Sequence, residues 1–412
     1  MKTLTIDIGT TTIKCAVFED GVIKSYYGKE YDLNTYGNSV TQKSDDWVNL
    51  ISEGINSFED VSDISGISIS SQGITILPVD KDGKPMTDAI SWLDASAEKE
   101  LEEFKNKFDS EYIFSLTGKK ILPYYSLSKI KKLVADGINA YKYLMPSDYI
   151  YFLLTGKYYT DYTMASGTML FDINKRKYDE ELLGFCGISE EQLAKPLEMG
   201  EKIGTVTDKG AEIFGIPKGV AVFLGAQDQK ISAYALRLDK GKATVSIGTS
   251  TAVSVLEGGN NDMSVFAYNK NDLIYESALN TTGAAIKWLK NLAFESYEEM
   301  DKCALEAGNS NGCLFDSDFT DGAVIKNIDL SVNKGSLVIA LYEDIARRIN
   351  NIIPDNVSGL ILFGGGAKSR LLCDTISRIT DCKIEVPDSV EVALAGADLL
   401  IRNNFNREEF RC

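Results

Sequence analysis

The 412-residue chain contains no histidine. Ser-His-Asp and Cys-His hydrolytic centres and His-ligated zinc sites are thereby excluded, and any general base must be Asp, Glu, Lys, Tyr or Cys. No C-x-x-C pair occurs among the seven cysteines, Cys15, Cys186, Cys303, Cys313, Cys373, Cys382 and Cys412. An odd number, several of them in apolar runs, reads as buried free thiols in a reducing compartment. No apolar run reaches the roughly 18–20 residues needed to cross a bilayer. The opening Met1-Lys2-Thr3-Leu4-Thr5-Ile6-Asp7 enters a strand pattern without an apolar leader, so a cytoplasmic protein is expected. Basic residues are the minority, 43 against 60 acidic, for a net charge of −17. Such a surface repels phosphate backbones and anionic lipid, so neither nucleic acid nor membrane is an expected partner. A local nest of backbone N–H groups still allows an anionic ligand. The length exceeds the roughly 250–300 residues at which one core stops growing, so two large domains are expected.

Residues Thr3 to Ile8 alternate, with Leu4, Ile6 and Ile8 on one face, and read as a strand. Gly9-Thr10-Thr11-Thr12 reads as a turn, and Ile13, Cys15 and Val17 as the returning strand of a hairpin that ends at Asp20-Gly21. The pattern returns 239 residues later: Thr244-Val245-Ser246-Ile247-Gly248-Thr249-Ser250-Thr251 matches Thr5–Thr12 at five of eight positions, and a strand from Ala252 to Leu256 follows. Strand, turn and strand repeated in order imply two related lobes, 1–238 and 239–412, with the break at Asp239-Lys240-Gly241-Lys242. Gly66–Ser70 alternates as a strand, and Val220–Leu224 is a continuous apolar run of the buried kind. Helical spacing appears in Ala95–Phe108 and Leu127–Val134. Leu360–Phe363 reads as a buried strand running into Gly364-Gly365-Gly366, with Ser369 able to cap the helix that follows. Strands alternating with helices indicate an α/β fold.

Five segments carry candidate chemistry. The first hairpin tip, Gly9 to Thr12, offers backbone N–H groups and three hydroxyls suited to a terminal phosphate, and Asp7 beside it suits Mg²⁺. A plain hairpin with a solvent-facing Asp is the alternative, which the second copy counts against; there Ser246 stands where the first copy has Asp7. Gly364-Gly365-Gly366-Ala367-Lys368-Ser369 allows close approach of a ligand at the carboxyl end of a strand, or is simply a flexible turn. Asp228, after the Val220–Leu224 run, reads equally as a helix N-cap or as the carboxylate that takes a proton from an attacking hydroxyl. Gln72 and Asp94 suit sugar hydroxyls and Trp92 an apolar sugar face, with a core Trp and a capping Asp as the alternative.

In this order, these segments resemble the FGGY carbohydrate kinases, of the actin-like, sugar-kinase and heat-shock ATPase superfamily, over nearly the whole chain. Asp7-Ile8-Gly9-Thr10-Thr11 resembles the family's first phosphate motif and Trp92-Leu93-Asp94 its W-x-D motif. Thr160-Asp161 through Ala165-Ser166-Gly167-Thr168 is similar to a segment of its pentulose kinases. Gly225-Ala226-Gln227-Asp228-Gln229 resembles the stretch bearing the base, Ser246-Ile247-Gly248-Thr249-Ser250 the second phosphate motif, and Phe363–Ser369 the adenosine loop.

The resemblance implies two actin-like lobes with an ATP cleft, Mg²⁺·ATP, and phosphoryl transfer to a hydroxyl of a small sugar, most like the xylulose kinase branch. Asp228 is then the base and Asp7 the metal ligand; Gln72, Trp92 and Asp94, with Asp228, bind the sugar. Gly9, Thr10, Thr11, Thr12, Gly248, Thr249, Ser250, Gly364, Gly365, Gly366, Ala367 and Lys368 hold the nucleotide, and lobe closure excludes water. The expected partners are the sugar, ATP and, as a homodimer, a second copy of the chain. The chain departs from the family at Ser96, where an arginine is usual, at Gly73-Ile74, where xylulose kinases carry Met-His, and at Leu314–Leu330, which resembles a shortened peripheral stretch. These departures touch the acceptor, so another polyol, an aldonate or a signalling carbohydrate is an alternative substrate. A non-catalytic sugar- or nucleotide-sensing actin-like protein is an alternative class.

Overall fold

The computed structural model describes residues 1–319, 322–388 and 391–405; Cys412 lies outside them. The chain forms two compact units. The first comprises Met1–Ala235, Ser264–Leu273 and the described residues from Glu391 onward; the second comprises Leu236–Met263 and the described residues from Ile274 to 388. The first division falls between Ala235 and Leu236, and the turn at Asp239–Lys242, closed by Lys242 N–H on Asp239 O with Gly241 at φ +75°, lies just inside the second unit. The last helix, Val392–Asn404, belongs with the amino-terminal residues rather than with the stretch before it.

The first unit is built on a six-stranded sheet in the order Lys202–Thr205, Ala221–Gln227, Gly66–Ser71, Lys2–Ile8, Thr12–Glu19, Val22–Glu30. Its three central strands, Ala221–Gln227, Gly66–Ser71 and Lys2–Ile8, run parallel, and the hairpin partners run antiparallel. Leu4, Ile6 and Ile8 meet Ile67, Ile69, Val222 and Leu224 in one core, sealed by Trp47, Ile51 and Ile55 at i, i+4 and i+8 of helix Ser44–Asn56. The strand expected over Gly66–Ser70 runs from Gly66 to Ser71, and every residue of it is buried. Helix Val392–Asn404 covers the other face: Thr3 Oγ1 donates to Asp398 Oδ1 at 2.6 Å, and a Cβ on Gly66 would stand 2.7 Å from Ile401 Cγ2. Small residues on that face admit the helix.

The second unit repeats the plan. Strands Leu273–Leu279, Thr251–Val255, Lys242–Ile247, Gly359–Phe363 and Lys383–Glu385 lie in that order, with Lys242–Ile247 antiparallel to Thr251–Val255 and parallel to Gly359–Phe363. Hairpin plus parallel neighbour is the relation that Lys2–Ile8, Thr12–Glu19 and Gly66–Ser71 show in the first unit. Ser369 caps helix Arg370–Thr380, accepting Leu372 N–H at 3.1 Å. Strands Leu314–Asp316 and Val324–Lys326 pair antiparallel in the stretch that the family resemblance marks as shortened.

The helix expected over Ala95–Phe108 begins only at Glu98. Asp94 Oδ1 accepts both the N–H and the hydroxyl of Ser96, at 2.9 and 2.7 Å, and this local turn competes with the first helical hydrogen bonds. All six described cysteines are free thiols, five of them buried. Among the described residues no helix is long and apolar enough to cross a membrane.

Candidate active site

Parallel strands bring their carboxyl ends to one edge, and register fixes what stands there. Ile8 pairs with Ser71, and Ser71 with Gln227. The next residues, Gly9, Gln72 and Asp228, therefore leave neighbouring strands at one level of the first unit. A bulge between Phe223 and Ala226 allows this, because a Cβ on Gly225 would lie 1.9 Å from Ile69 O.

The tip Gly9–Thr12 is closed by Gly9 N–H on Thr12 O at 2.9 Å, leaving Thr11 exposed. Its carbonyls are tied down from behind. Tyr31 hydroxyl donates to Gly9 O at 2.6 Å, Gln42 Nε2 to Thr10 O at 2.7 Å, and Tyr31 N–H to Thr11 O at 2.9 Å. With the carbonyls so engaged, the tip is held as a rigid turn with its Thr11 side open. Asp7 is buried and accepts Ser70 Oγ at 2.7 Å. Burial raises its carboxyl above the usual range, and Lys14, its antiparallel partner, pulls the other way. Burial would lower the Lys14 ammonium, but Asp7 and a 2.8 Å bond to Glu391 outweigh it, so the net shift is upward.

Gln72 is buried, donating Nε2 to Gln42 Oε1 at 2.9 Å and its N–H to Ile8 O at 2.8 Å. Gly73 follows, and Thr75 N–H donates to Gly73 O at 2.8 Å in a γ-turn centred on Ile74, whose φ is +71°. A β-branched residue there is strained by about 1–3 kcal/mol. Ser126 Oγ on Ile74 O and Trp92 N–H on Thr75 Oγ1 hold the turn. Trp92 is half-buried, and its indole Nε1 donates to Thr10 Oγ1 at 2.8 Å. Asp94 is buried and accepts Val40 N–H as well as Ser96. Lys129, fully buried, gives its Nζ to Tyr124 O at 2.6 Å; burial lowers its pKa to about 7, against the pull of Asp94.

Asp228 opens helix Asp228–Ala235 and accepts the N–H of Gln229 at 2.7 Å, which is not the N2 or N3 contact of an N-cap. The Gln227 N–H before it donates to Thr163 Oγ1 at 2.9 Å, and Thr163 donates to Asp161, the cap of helix Tyr162–Ser166. Burial raises the Asp161 carboxyl to about 6, offset in part by those Thr163 bonds. Two residues past Asp228, Lys230 is buried with its Nζ 3.5 Å from the Phe266 ring centre, and Lys119 Nζ lies 3.3 Å from the same ring.

In the second unit the tip Gly248–Ser250 is exposed and closed by Gly248 N–H on Ser250 O at 2.9 Å. Helix Thr282–Ala293 begins against it: Gly283 and Ala284 N–H donate to Gly248 O and Thr249 O. Ser246, the counterpart of Asp7, spends its Oγ on Ala252 N–H. Gly364, at φ +91°, and Gly366 pass so close to Ile247 that a Cβ would stand 2.9 Å from its O and 2.3 Å from its Cγ2 respectively. Gly365, with open space about it, and the exposed Lys368 lie on the 3₁₀ turn Gly365–Lys368, and Ala367 packs inward.

The structure therefore gathers Asp7, Gly9–Thr12, Gln72, Trp92 and Asp228 in the first unit, and Gly248–Ser250 with Gly364–Lys368 in the second. Asp94 joins the first group through the backbone it organises. Tyr31, Gln42, Lys14, Thr163 and Gly283 belong to these groups too and escape a reading by motif. Lys14 alone had a local signal, since strand alternation from Asp7 through the hairpin fixes its pairing.

Residues 2–235 match the N-terminal domain of the FGGY family of carbohydrate kinases. The chain is 26% identical to the xylulose kinase of Staphylococcus xylosus over 400 residues, covering 88% of this chain and 83% of that one. It is also 26% identical to the gluconokinase of Bacillus subtilis (strain 168) over 444 residues, covering 96% and 86%. The fold matches a ligand-bound xylulose kinase structure from Lactobacillus acidophilus with a TM-score of 0.89 at 21% identity, over 98% of this chain and 90% of that one. With the N-terminal domain model matched over more than half of its length, the chain belongs to the FGGY family of carbohydrate kinases.

Proposed function

We propose that the protein transfers the terminal phosphoryl group of ATP to a hydroxyl of a small ketose such as xylulose, with Asp228 as general base. The observation that carries this reading is the shared strand edge at which Gly9, Gln72 and Asp228 emerge. Asp228 takes the proton of the attacking hydroxyl as the new O–P bond forms and the bond to the leaving ADP breaks. Thr163, by fixing the Gln227 N–H, sets the backbone from which Asp228 projects. Gln72 and Trp92 orient the acceptor, and Asp94 shapes its surroundings through Val40 and Ser96. The open Thr11 side of the Gly9–Thr12 tip and the Lys14 ammonium meet phosphate oxygens, and Gly248–Ser250 and Gly364–Lys368 are the second unit's own nucleotide contacts.

Asp7 fits a Mg²⁺ ion that keeps several waters and takes its other ligands from phosphate, because it is a single buried carboxylate beside an open hydroxyl-rich tip. When bound, that ion neutralises charge on the transferring phosphoryl oxygens. Among the described residues no group of three or more His, Cys, Asp or Glu forms an all-protein metal cage. An aldonate acceptor is a second reading, supported by the likeness to gluconokinase.

The test is the steady-state behaviour of Asp228→Asn. Loss of turnover by a factor of about 10³ or more, with ATP binding retained, is the expected result. Turnover at the wild-type rate would remove Asp228 from the base role.

A further inference from the structure

The residue that precedes helix Val392–Asn404 delivers a carboxylate to the first hairpin. Glu391, immediately before helix Val392–Asn404, accepts Lys14 Nζ on Oε2 at 2.8 Å and the Tyr26 hydroxyl on Oε1 at 3.2 Å. Lys14 and Tyr26 stand on the neighbouring strands Thr12–Glu19 and Val22–Glu30. The helix is fixed to the same sheet by Asp398 on Thr3 and by Leu394 packed on Ala16 and Phe18. The side chains of Lys14 and Glu391 are only 30% and 19% exposed, so solvent screens their attraction weakly.

Lys14 thus has two carboxylates within its influence. Asp7 lies opposite it in strict register and is buried, and Glu391 takes its hydrogen bond. An ammonium released from Glu391 is drawn toward Asp7, because charges attract strongly where water is excluded. That collapse would occupy the carboxylate the proposed reaction needs for a cation and withdraw the ammonium from the phosphate side. Tyr26 fixes the second oxygen of Glu391 and so the direction in which Lys14 is held.

We propose that Glu391 is a positioning residue for phosphoryl transfer, holding Lys14 at the edge of the phosphate hairpin and clear of Asp7. This rests on the reading of Asp7 and Lys14 given above as the phosphate side of the site. Helix Val392–Asn404 then supports the first phosphate hairpin from 377 residues away in the sequence.

The test is calorimetric binding of a non-hydrolysable ATP analogue, with and without Mg²⁺, to the full chain and to Glu391→Gln, Glu391→Asp, Lys14→Met and the Glu391→Gln/Lys14→Met double variant. Glu391→Gln is expected to weaken Mg²⁺-dependent binding about tenfold, as loss of a partly buried charge-assisted bond does. Glu391→Asp should recover most of it, and the double variant should bind no more weakly than Lys14→Met alone, because Glu391 acts through Lys14. Should Glu391→Gln not fold, Tyr26→Phe supplies the same test with a smaller expected loss of about threefold. Wild-type binding by Glu391→Gln, or a loss that adds in full to that of Lys14→Met, overturns the proposal while leaving the kinase reading intact. Wild-type binding by Lys14→Met overturns the phosphate-side reading of Lys14 and this inference with it.

Discussion

Trp92 donates its indole N–H to Thr10 Oγ1 at 2.8 Å, so the segment assigned to the acceptor and the tip assigned to phosphate share one hydrogen bond. Ordering of one reaches the other through this bond and through the Gln72–Gln42–Thr10 chain behind it.

Trp92→Phe keeps the aromatic bulk and removes only the donor. A neutral hydrogen bond is worth about 1 kcal/mol, so KM for ATP is expected to rise roughly fivefold even though Trp92 is assigned to the sugar. Steady-state kinetics with both substrates varied reads this directly. An effect confined to KM for the acceptor would mean that the two segments are not coupled.

Gly283→Ala places a methyl 2.0 Å from Gly248 O, at the contact between helix Thr282–Ala293 and the second tip. Backbone cannot yield as a flexible side chain does, so a destabilisation of about 2–3 kcal/mol and a loss of nucleotide affinity are expected. Gly365→Ala, with open space around its position, serves as the control and should melt near wild type. Equal melting of both variants and the parent would contradict the packing described.

Thr163→Val removes the acceptor of the Gln227 N–H and the donor to Asp161. Asp161 keeps the Thr163 and Met164 N–H groups, but the Gln227 N–H loses its acceptor, which costs roughly 1–2 kcal/mol of stability, and kcat should fall about tenfold through the shifted Asp228 while nucleotide affinity stays within twofold. A matched loss in nucleotide affinity would show a general unfolding of the edge instead.

Asp148 is buried with its carboxyl pushed up to about 8, chiefly by burial, although the Met145 N–H and Thr160 oppose the shift. Its folded pKa lies above the ordinary carboxylate value, so the native state holds a proton that the unfolded chain releases. The associated stability is fully present below about pH 4 and is lost as the pH rises toward 8. Asp148→Asn keeps an acceptor for Met145 and cannot ionise. Its melting temperature should match or trail wild type at pH 5 and exceed it at pH 8. Parallel curves for the two proteins across that range would refute the buried, protonated state.

Sequence made the two hairpins legible because strand alternation and a glycine turn are local signals, and the repeat at Gly248 disclosed the second. Pairing of the parallel strands had no such signal. That Gly9, Gln72 and Asp228 emerge at one level depends on the register of Ile8, Ser71 and Gln227, which are far apart in the chain. The same holds for Glu391, which is 377 residues from Lys14, and for the return of Val392–Asn404 to the first unit. Gly66–Ser70 was legible as a strand, but the burial of its serine face was not, because the covering helix Val392–Asn404 lies far away in the sequence. Asp94 was a capping or sugar-binding candidate, and the structure shows its oxygens engaged by Val40 and Ser96. Ser96 stands where the family usually has arginine, and its hydroxyl moves the helix start to Glu98.

The most direct test is ADP release with Mg²⁺·ATP across ketopentoses, ketohexoses, polyols and aldonates, run in parallel on wild type and Asp228→Asn. One dominant acceptor is expected, a ketose such as xylulose, whose signal disappears in Asp228→Asn although ATP still binds. Dominance of an aldonate would replace the ketose assignment, and a signal that persists undiminished in Asp228→Asn would contradict the mechanism.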